Sequence, residues 1–361
     1  MDAKNIRMDL HKIPELGRCE FKTKEYILNF AKKLNCKIYE VSLTGVILYF
    51  DVKKKHTLCF RADMDALPIK EENNVSYKSK NPGIMHACGH DGHMAILLSY
   101  AKWASDNLDE LENNIVCLFQ PSEEDNLGAN DILESNILTE LKVERIFGMH
   151  IWPNLDKGKI FSMPNGMLAT SAEVNIDIIG KTCHAANRSE GIDALLVAAD
   201  LILKFYEICA NIEEKHLINF GKLVSGTVRN AVSKDAHLEA TMRAFDDQVF
   251  DSMVKKLNGL IKELEDNYKA KINLSINALY PSVNNDPFLF DEYKNIIDIN
   301  KLNNPFLQAE DFGCYTRKFP SLFFLLGCGD TPLLHSSNFN FDMDILDIGV
   351  DTYKKISKFK Y

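Results

Sequence analysis

At 361 residues the chain is longer than one ordinary hydrophobic core supports, so two domains are expected. Hydrophobic residues make up 46% and charged residues 26%, a globular balance that argues against a disordered chain. With 42 basic against 51 acidic residues, a formal net charge of -9 and no basic block, nucleic acid is not expected as a main partner.

Taken in chain order, the opening Met1–Lys12 segment is charged and lacks an apolar centre, so no signal peptide is expected. Continuous apolar runs follow at Thr57–Phe60, Ile115–Phe119, Ile146–Met149 and Ser321–Leu326. Runs without alternation suit strands covered on both faces, as in a mostly parallel sheet flanked by helices. A helical pattern, Met94–Trp103, lies between the first two, with Leu97, Leu98 and Ala101 on one side.

The middle of the chain alternates instead. Val174, Ile176 and Ile178 are interleaved with polar residues, as are Leu238, Ala240 and Met242, and then Ile272, Leu274 and Ile276. Such strands have one covered and one wet face, as in an antiparallel sheet. Helices are expected at about Ile192–Ile208 and over Phe250–Leu264, with a further strand near Leu217–Leu223. The order β-α-β-β-α-β is that of a ferredoxin-like unit. The expected architecture is α/β: a larger domain, residues 1–167 and 281–361, with a smaller α+β domain inserted over 168–280. No apolar stretch is long enough for a bilayer, and nine scattered cysteines, an odd number, suit reduced thiols; a cytoplasmic enzyme with no membrane partner is expected.

Chemistry collects where the buried runs end. Asp63 and Asp65 follow the first, Glu123 and Glu124 the second, His150 the third, and His335 comes some residues beyond the fourth. In open parallel sheets ligands bind outside the carboxyl ends of the strands, so these groups face one crevice. The segment His86–His93, which includes Cys88 and His90 and precedes a helix, adds donors at the same edge. Thiolate, imidazole and carboxylate are the donors of zinc or another borderline metal, and such a pocket suits two ions about 3.5 Å apart. Adjacent glutamates project differently, so one can ligate while its neighbour moves a proton. Taken singly, each feature has an ordinary explanation: a solvated glutamate pair, a buried structural thiol at Cys88, helix-capping aspartates. Their joint placement favours the metal site.

At these residues the chain resembles the aminoacylase and hippurate-hydrolase family of metallopeptidases, which includes bacterial N-acetyldiaminopimelate deacetylases. The resemblance runs from Asp9–Gly17 through Phe60–Pro68, His86–His93, Gln120–Glu124 and Gly148–His150 to Glu310-Asp311-Phe312 and Leu334-His335. It implies that Cys88, His90, Glu124, His150 and His335 bind two divalent ions, with manganese or zinc first and cobalt or nickel also compatible. It implies that Glu123 is the catalytic base and that Asp65 orients a ligand. The inserted domain becomes a lid and dimerisation domain, giving a homodimer. There His184 would reach a neighbouring subunit's site and polarise the scissile carbonyl, while Asn230 and Arg243 would bind substrate. The chain departs from the family at Ser122, usually alanine, at Cys183, usually glycine, and at Asn187-Arg188, usually more apolar.

The implied reaction is removal of the acyl group, acetyl first, from N-acyl-L-amino acids, with N-acetyl-L,L-diaminopimelate of lysine and cell-wall precursor synthesis as leading substrate. A dipeptidase or aminopeptidase on the same metals is the alternative. A cysteine-nucleophile hydrolase built on Cys88 leaves the glutamate pair without a task, and a non-catalytic binding protein has no need of Glu123.

Overall fold

Whether an apolar run alternates decides how many of its faces are covered. In the computed structural model, which describes residues 2–126 and 128–360, the strands Thr57–Asp63, Asn114–Gln120 and Ser321–Gly327 are buried at every position. Each large side chain sealed in this way, Phe60, Phe119, Phe324 and Leu326 among them, contributes roughly 1.5–3 kcal/mol by leaving water.

The chain divides into two compact units, one of Met1–Met167, Val283–Asn304 and Glu310–Tyr361, the other of Leu168–Ser282 and Pro305–Ala309. The sequence pattern assigns all of 281–361 to the larger domain, and the structure corrects this for residues 281–282 and 305–309. The latter segment is tied to the second unit by its backbone: the Gln308 carbonyl accepts from the Ala169 amide at 3.2 Å, and the Leu307 carbonyl from Arg243 Nη1 at 2.6 Å.

The first unit is a mixed α/β fold on an eight-stranded sheet. Across it the order is Lys37–Val41, Gly45–Phe50, Asn114–Gln120, Thr57–Asp63, Arg145–Trp152, Ser321–Gly327, Ile160–Ser162 and Asn300–Lys301. The four central strands, Asn114–Gln120 to Ser321–Gly327, run parallel, so their carboxyl ends share one edge. The first two strands are antiparallel additions. The helix His90–Asp106 packs against the helices Ala3–His11 and Ile345–Ser357. It starts four residues before the apolar pattern signals, because its first turn carries His90, Asp91 and His93, which are buried despite being polar. Gly89 precedes it at φ +89°, a left-handed turn that a side chain would strain.

The second unit holds the strands Thr170–Ile179, His216–Ser225, Asp235–Ala244 and Lys271–Tyr280 in one antiparallel sheet, ordered fourth, first, third, second. Ala172, Val174, Ile176, Ile178 and Leu238 bury on one face against the helices Ala194–Ala210 and Asp247–Tyr268. The helix Asp247–Tyr268 buries Phe250, Met253, Leu257, Leu260, Ile261 and Leu264, one stripe at helical spacing. Asp193 and Asp246 cap the two helices through their carboxylates. No helix among the described residues is long and apolar enough to cross a membrane.

Candidate metal and catalytic centre

The parallel strands bring their carboxyl ends together, and the acids and imidazoles arrive with them. Cys88, His90 and His150 place donor atoms within 4.8 Å of one another, as do Cys88, Glu124 and His335, and also His90, Glu123 and Glu124. The first two groups share Cys88, so all five expected ligands form one cluster in the first unit. Cys88 Sγ lies 3.4 Å from His150 Nε2, and His335 Nε2 lies 3.3 Å from Glu124 Oε1. A backbone bond of 2.9 Å from the His335 amide to the Ala87 carbonyl draws the His335 loop to the Cys88 turn.

Hydrogen bonds assign the ring nitrogens. His90 Nδ1 donates to the Asp65 carbonyl at 2.9 Å and His150 Nδ1 to the Ile151 carbonyl at 2.7 Å, which leaves each Nε2 as an acceptor aimed into the cluster. His93 is used differently. Its Nε2 accepts the Ile151 amide at 2.9 Å, so Nδ1 carries the proton and donates to Asp63 at 2.6 Å. That ring is a clamp between two strands, with no nitrogen left over for a metal.

Asp65 grips the glutamate pair. Its Oδ1 accepts the Glu123 amide at 3.0 Å and its Oδ2 the Glu124 amide at 2.9 Å, so one carboxylate caps the turn carrying both residues. The helix-cap and ligand-orienting explanations of this aspartate therefore describe the same contacts. Two backbones at the centre are left-handed without being glycine, Ser122 at φ +57° and His335 at φ +63°, at roughly 1–3 kcal/mol each. Gly128 permits a close approach just after the pair, since a Cβ there would lie 1.8 Å from the Pro121 carbonyl.

The donor set fits divalent cations. His90 Nε2 and Glu124 Oε1 are buried without a hydrogen-bond partner among the described residues, and a bare polar atom costs roughly 1–3 kcal/mol. Burial, then the charges of Glu124 and Glu123, push the Cys88 thiol well above its ordinary value. Burial, then Glu310 and Glu124, do the same to the Glu123 carboxyl. Cations held by this set would reverse that balance and let the thiol ionise.

Sequence reasoning passed over one part of the centre. Arg61, wholly buried, donates to Gln120, Asp63, Glu310 and Asp311 at 2.9, 2.6, 3.0 and 2.7 Å. A charge directly after a fully buried apolar run was the available signal, because a buried arginine must be paired.

His184, Asn230 and Arg243 lie in the second unit. The first two are neighbours: the Ala185 amide bonds the Asn230 carbonyl at 3.0 Å, and His184 pairs with Ala231. His184 is exposed, and its Nδ1 accepts the Ala186 amide at 3.2 Å, which puts the ring proton on Nε2. Arg243 is not brought to them. It sits toward the far end of Asp235–Ala244, a strand that Asn230 precedes, and the stretch of that strand from Asp235 to Arg243 alone spans about 25 Å.

A mostly parallel α/β sheet with thiol, imidazole and paired carboxylates at its strand ends defines a metal-dependent amidohydrolase. The chain belongs to peptidase family M20/M25/M40, whose sequence model matches residues 59–358. It is 34% identical to the N-acetyldiaminopimelate deacetylase of Oceanobacillus iheyensis, over 97% of each chain. An uncharacterized hydrolase of Staphylococcus epidermidis is 32% identical over 97% of this chain and 96% of its own. Among solved structures, a dinuclear metal-binding M20 peptidase of Bacillus subtilis superposes with a TM-score of 0.86 at 27% identity, covering 99% of this chain and 96% of that one. A putative aminohydrolase from methicillin-resistant Staphylococcus aureus gives 0.94 at 26% identity, covering 99% and 95%.

Proposed function

We propose that this chain removes the acyl group from N-acyl-L-amino acids, with N-acetyl-L,L-diaminopimelate as the leading substrate. The observation that carries the reaction is the cluster of Cys88, His90, Glu124, His150 and His335, with the buried Glu123 beside His90 and Glu124. The substrate choice is supported by relatives that carry the deacetylase name at 34% and 33% identity over nearly the whole chain.

The five ligands would hold two divalent ions, which when bound supply Lewis acidity to a water and to the acyl carbonyl. The thiolate favours zinc among the candidates, with manganese, cobalt and nickel the comparisons to make. Glu123 takes the proton of the attacking water and passes it to the departing amine. Asp65 keeps Glu123 and Glu124 in fixed relation by holding both amides. His184 donates from Nε2 to the carbonyl oxygen, and Asn230 and Arg243 bind the rest of the substrate, the arginine taking its free carboxylate. His184 and Arg243 are too far apart along one sheet to hold the same small molecule, which supports a site completed by a second copy of the chain.

The test is amine release from a panel of N-acyl amino acids, including N-acetyl-L,L-diaminopimelate, by chelated and metal-restored protein. Metal-dependent release with the diaminopimelate derivative ranked first is expected. Release only from peptides with free amino termini would replace this reading with a dipeptidase or aminopeptidase.

A further inference from the structure

Three carboxylates meet behind the glutamate pair. Glu123, Glu310 and Asp311 are buried and place oxygens within 4.8 Å of one another. Such a cluster repels itself unless positive charge enters it. Here the charge is built in, since Arg61 Nη2 donates to Glu310 Oε1 at 3.0 Å and to Asp311 Oδ1 at 2.7 Å. This single guanidinium, which also serves Asp63, offsets the repulsion in part and leaves Glu310 and Glu123 pushing each other apart.

The remaining contacts make this group rigid. Asp311 Oδ2 accepts from Gln120 Nε2 at 2.7 Å and from the Ala129 amide at 2.9 Å. Gln120 Oε1 in turn accepts from Arg61 Nε and from the Tyr315 hydroxyl, each at 2.9 Å. Glu310 Oε1 also accepts the Phe312 amide at 3.0 Å. The result reaches Glu123 through its two oxygens. Oε1 faces the Asp311 amide at 3.4 Å, while Oε2 faces the ligand cluster, 3.9 Å from His90 Nε2.

We propose that Glu310 and Asp311, clamped by Arg61 and Gln120, are positioning residues that hold the Glu123 carboxylate with one oxygen tethered and the other turned to the reacting water. The Asp311 amide is the tether, and its own side chain fixes where that amide points. Glu310 closes the opposite side, because its negative charge repels Glu123 from the space behind it. This rests on Glu123 being the base, and the two ideas fail separately.

The experiment is a double-mutant cycle on the metal-loaded enzyme, pairing Asp311→Asn with Glu123→Gln, together with a crystal structure of Asp311→Asn. Asparagine leaves the volume unchanged but sets a donor against the Gln120 and Ala129 donors or against Arg61. Expected is a kcat roughly 10- to 100-fold lower, part of the 100- to 10,000-fold a positioned base supplies, with KM and metal content within about twofold. In the Glu123→Gln background the same change should move the residual kcat less than about twofold, since a residue acting through Glu123 has nothing left to position. The crystal structure should show the Glu123 carboxylate rotated away from His90. Equal losses in both backgrounds, or an unmoved Glu123 carboxylate, would overturn the proposal and leave the network a structural support. Near-normal turnover in Glu123→Gln alone would instead remove Glu123 from its role. Glu310→Gln carries the same cycle should Asp311→Asn not fold, because it keeps both bonds of Oε1 while its amide draws Glu123 toward it.

Discussion

Asp65 shows how much one carboxylate can organise. Its two oxygens take the amides of Glu123 and Glu124, and its carbonyl takes His90 Nδ1, so it touches the supports of three site residues. Outer groups of this kind typically contribute 10- to 100-fold to metal affinity. Asp65→Ala should therefore weaken metal binding by roughly that factor, read by competition with a chromophoric chelator. Unchanged affinity would limit Asp65 to capping the turn. At this scale the ligand types were legible, because Cys88, the glutamate pair and His150 follow apolar runs or open a helix. The division of labour among histidines was not. His90 and His93 are three residues apart with the same side chain, and only Asp63 and the Ile151 amide, on two different strands, make the second a clamp.

Elements carry the next prediction. The helix Ala3–His11 turns a polar pair inward: Arg7 Nε donates to Asp91 Oδ2 at 3.1 Å, and His11 reaches the same oxygen through Nδ1 at 2.7 Å. His11 Nε2 faces Glu71 at 3.1 Å, so both ring nitrogens meet carboxylates and the imidazolium is the form that fits. Burial opposes that charge, but Asp91 and Glu71 outweigh it and raise His11 to about 9 from an ordinary 6.5. The neighbouring His86 is pushed down by burial to about 4 and stays neutral across this range, while Asp91, held well below the usual carboxylate range by Arg7 and His11 against its burial, keeps its charge. A raised histidine contributes stability that is fully present below about pH 6.5 and is lost as pH climbs through 9. The full contribution is about 3 kcal/mol. Thermal melts from pH 6 to pH 10 should show the wild-type Tm falling across this window, with a flatter profile in His11→Gln. Parallel profiles would mean that His11 does not couple to folding. The strands were the legible part at this scale, since alternation or its absence states how many faces are covered. The early start of the helix at His90 was hidden, because buried polar residues break the apolar period on which helix reading depends.

For the whole molecule, the second unit leaves apolar surface uncovered. The helix Ala194–Ala210 exposes Leu195, Leu196, Leu203 and Tyr206, and the edge strand His216–Ser225 exposes Leu223 and Val224. An exposed edge next to apolar side chains is an association surface. A second copy meeting this face is the assembly we propose, and it agrees with the distance between His184 and Arg243. Leu203, 70% exposed, is the residue to change. Leu203→Glu should shift a dimer to monomer in light scattering after size exclusion, with metal content retained and turnover reduced at least about tenfold, because a charge in an apolar contact is left unpaired. A wild-type monomer with full turnover would end the proposal.

From sequence alone came the two kinds of sheet, the helices of the second unit, and the gathering of metal donors at strand ends. Each of these is local, because burial on one or both faces is written in spacing over a few residues, and donor chemistry is written in residue type. Tertiary structure decided which nitrogen of which histidine is available, that residues 305–309 join the second unit, and that Arg61 ties Glu310 and Asp311 behind Glu123. The physical reason is range. Arg61 and Asp311 are 250 residues apart in the chain, and a hydrogen bond between them depends on distances and angles that periodicity does not encode.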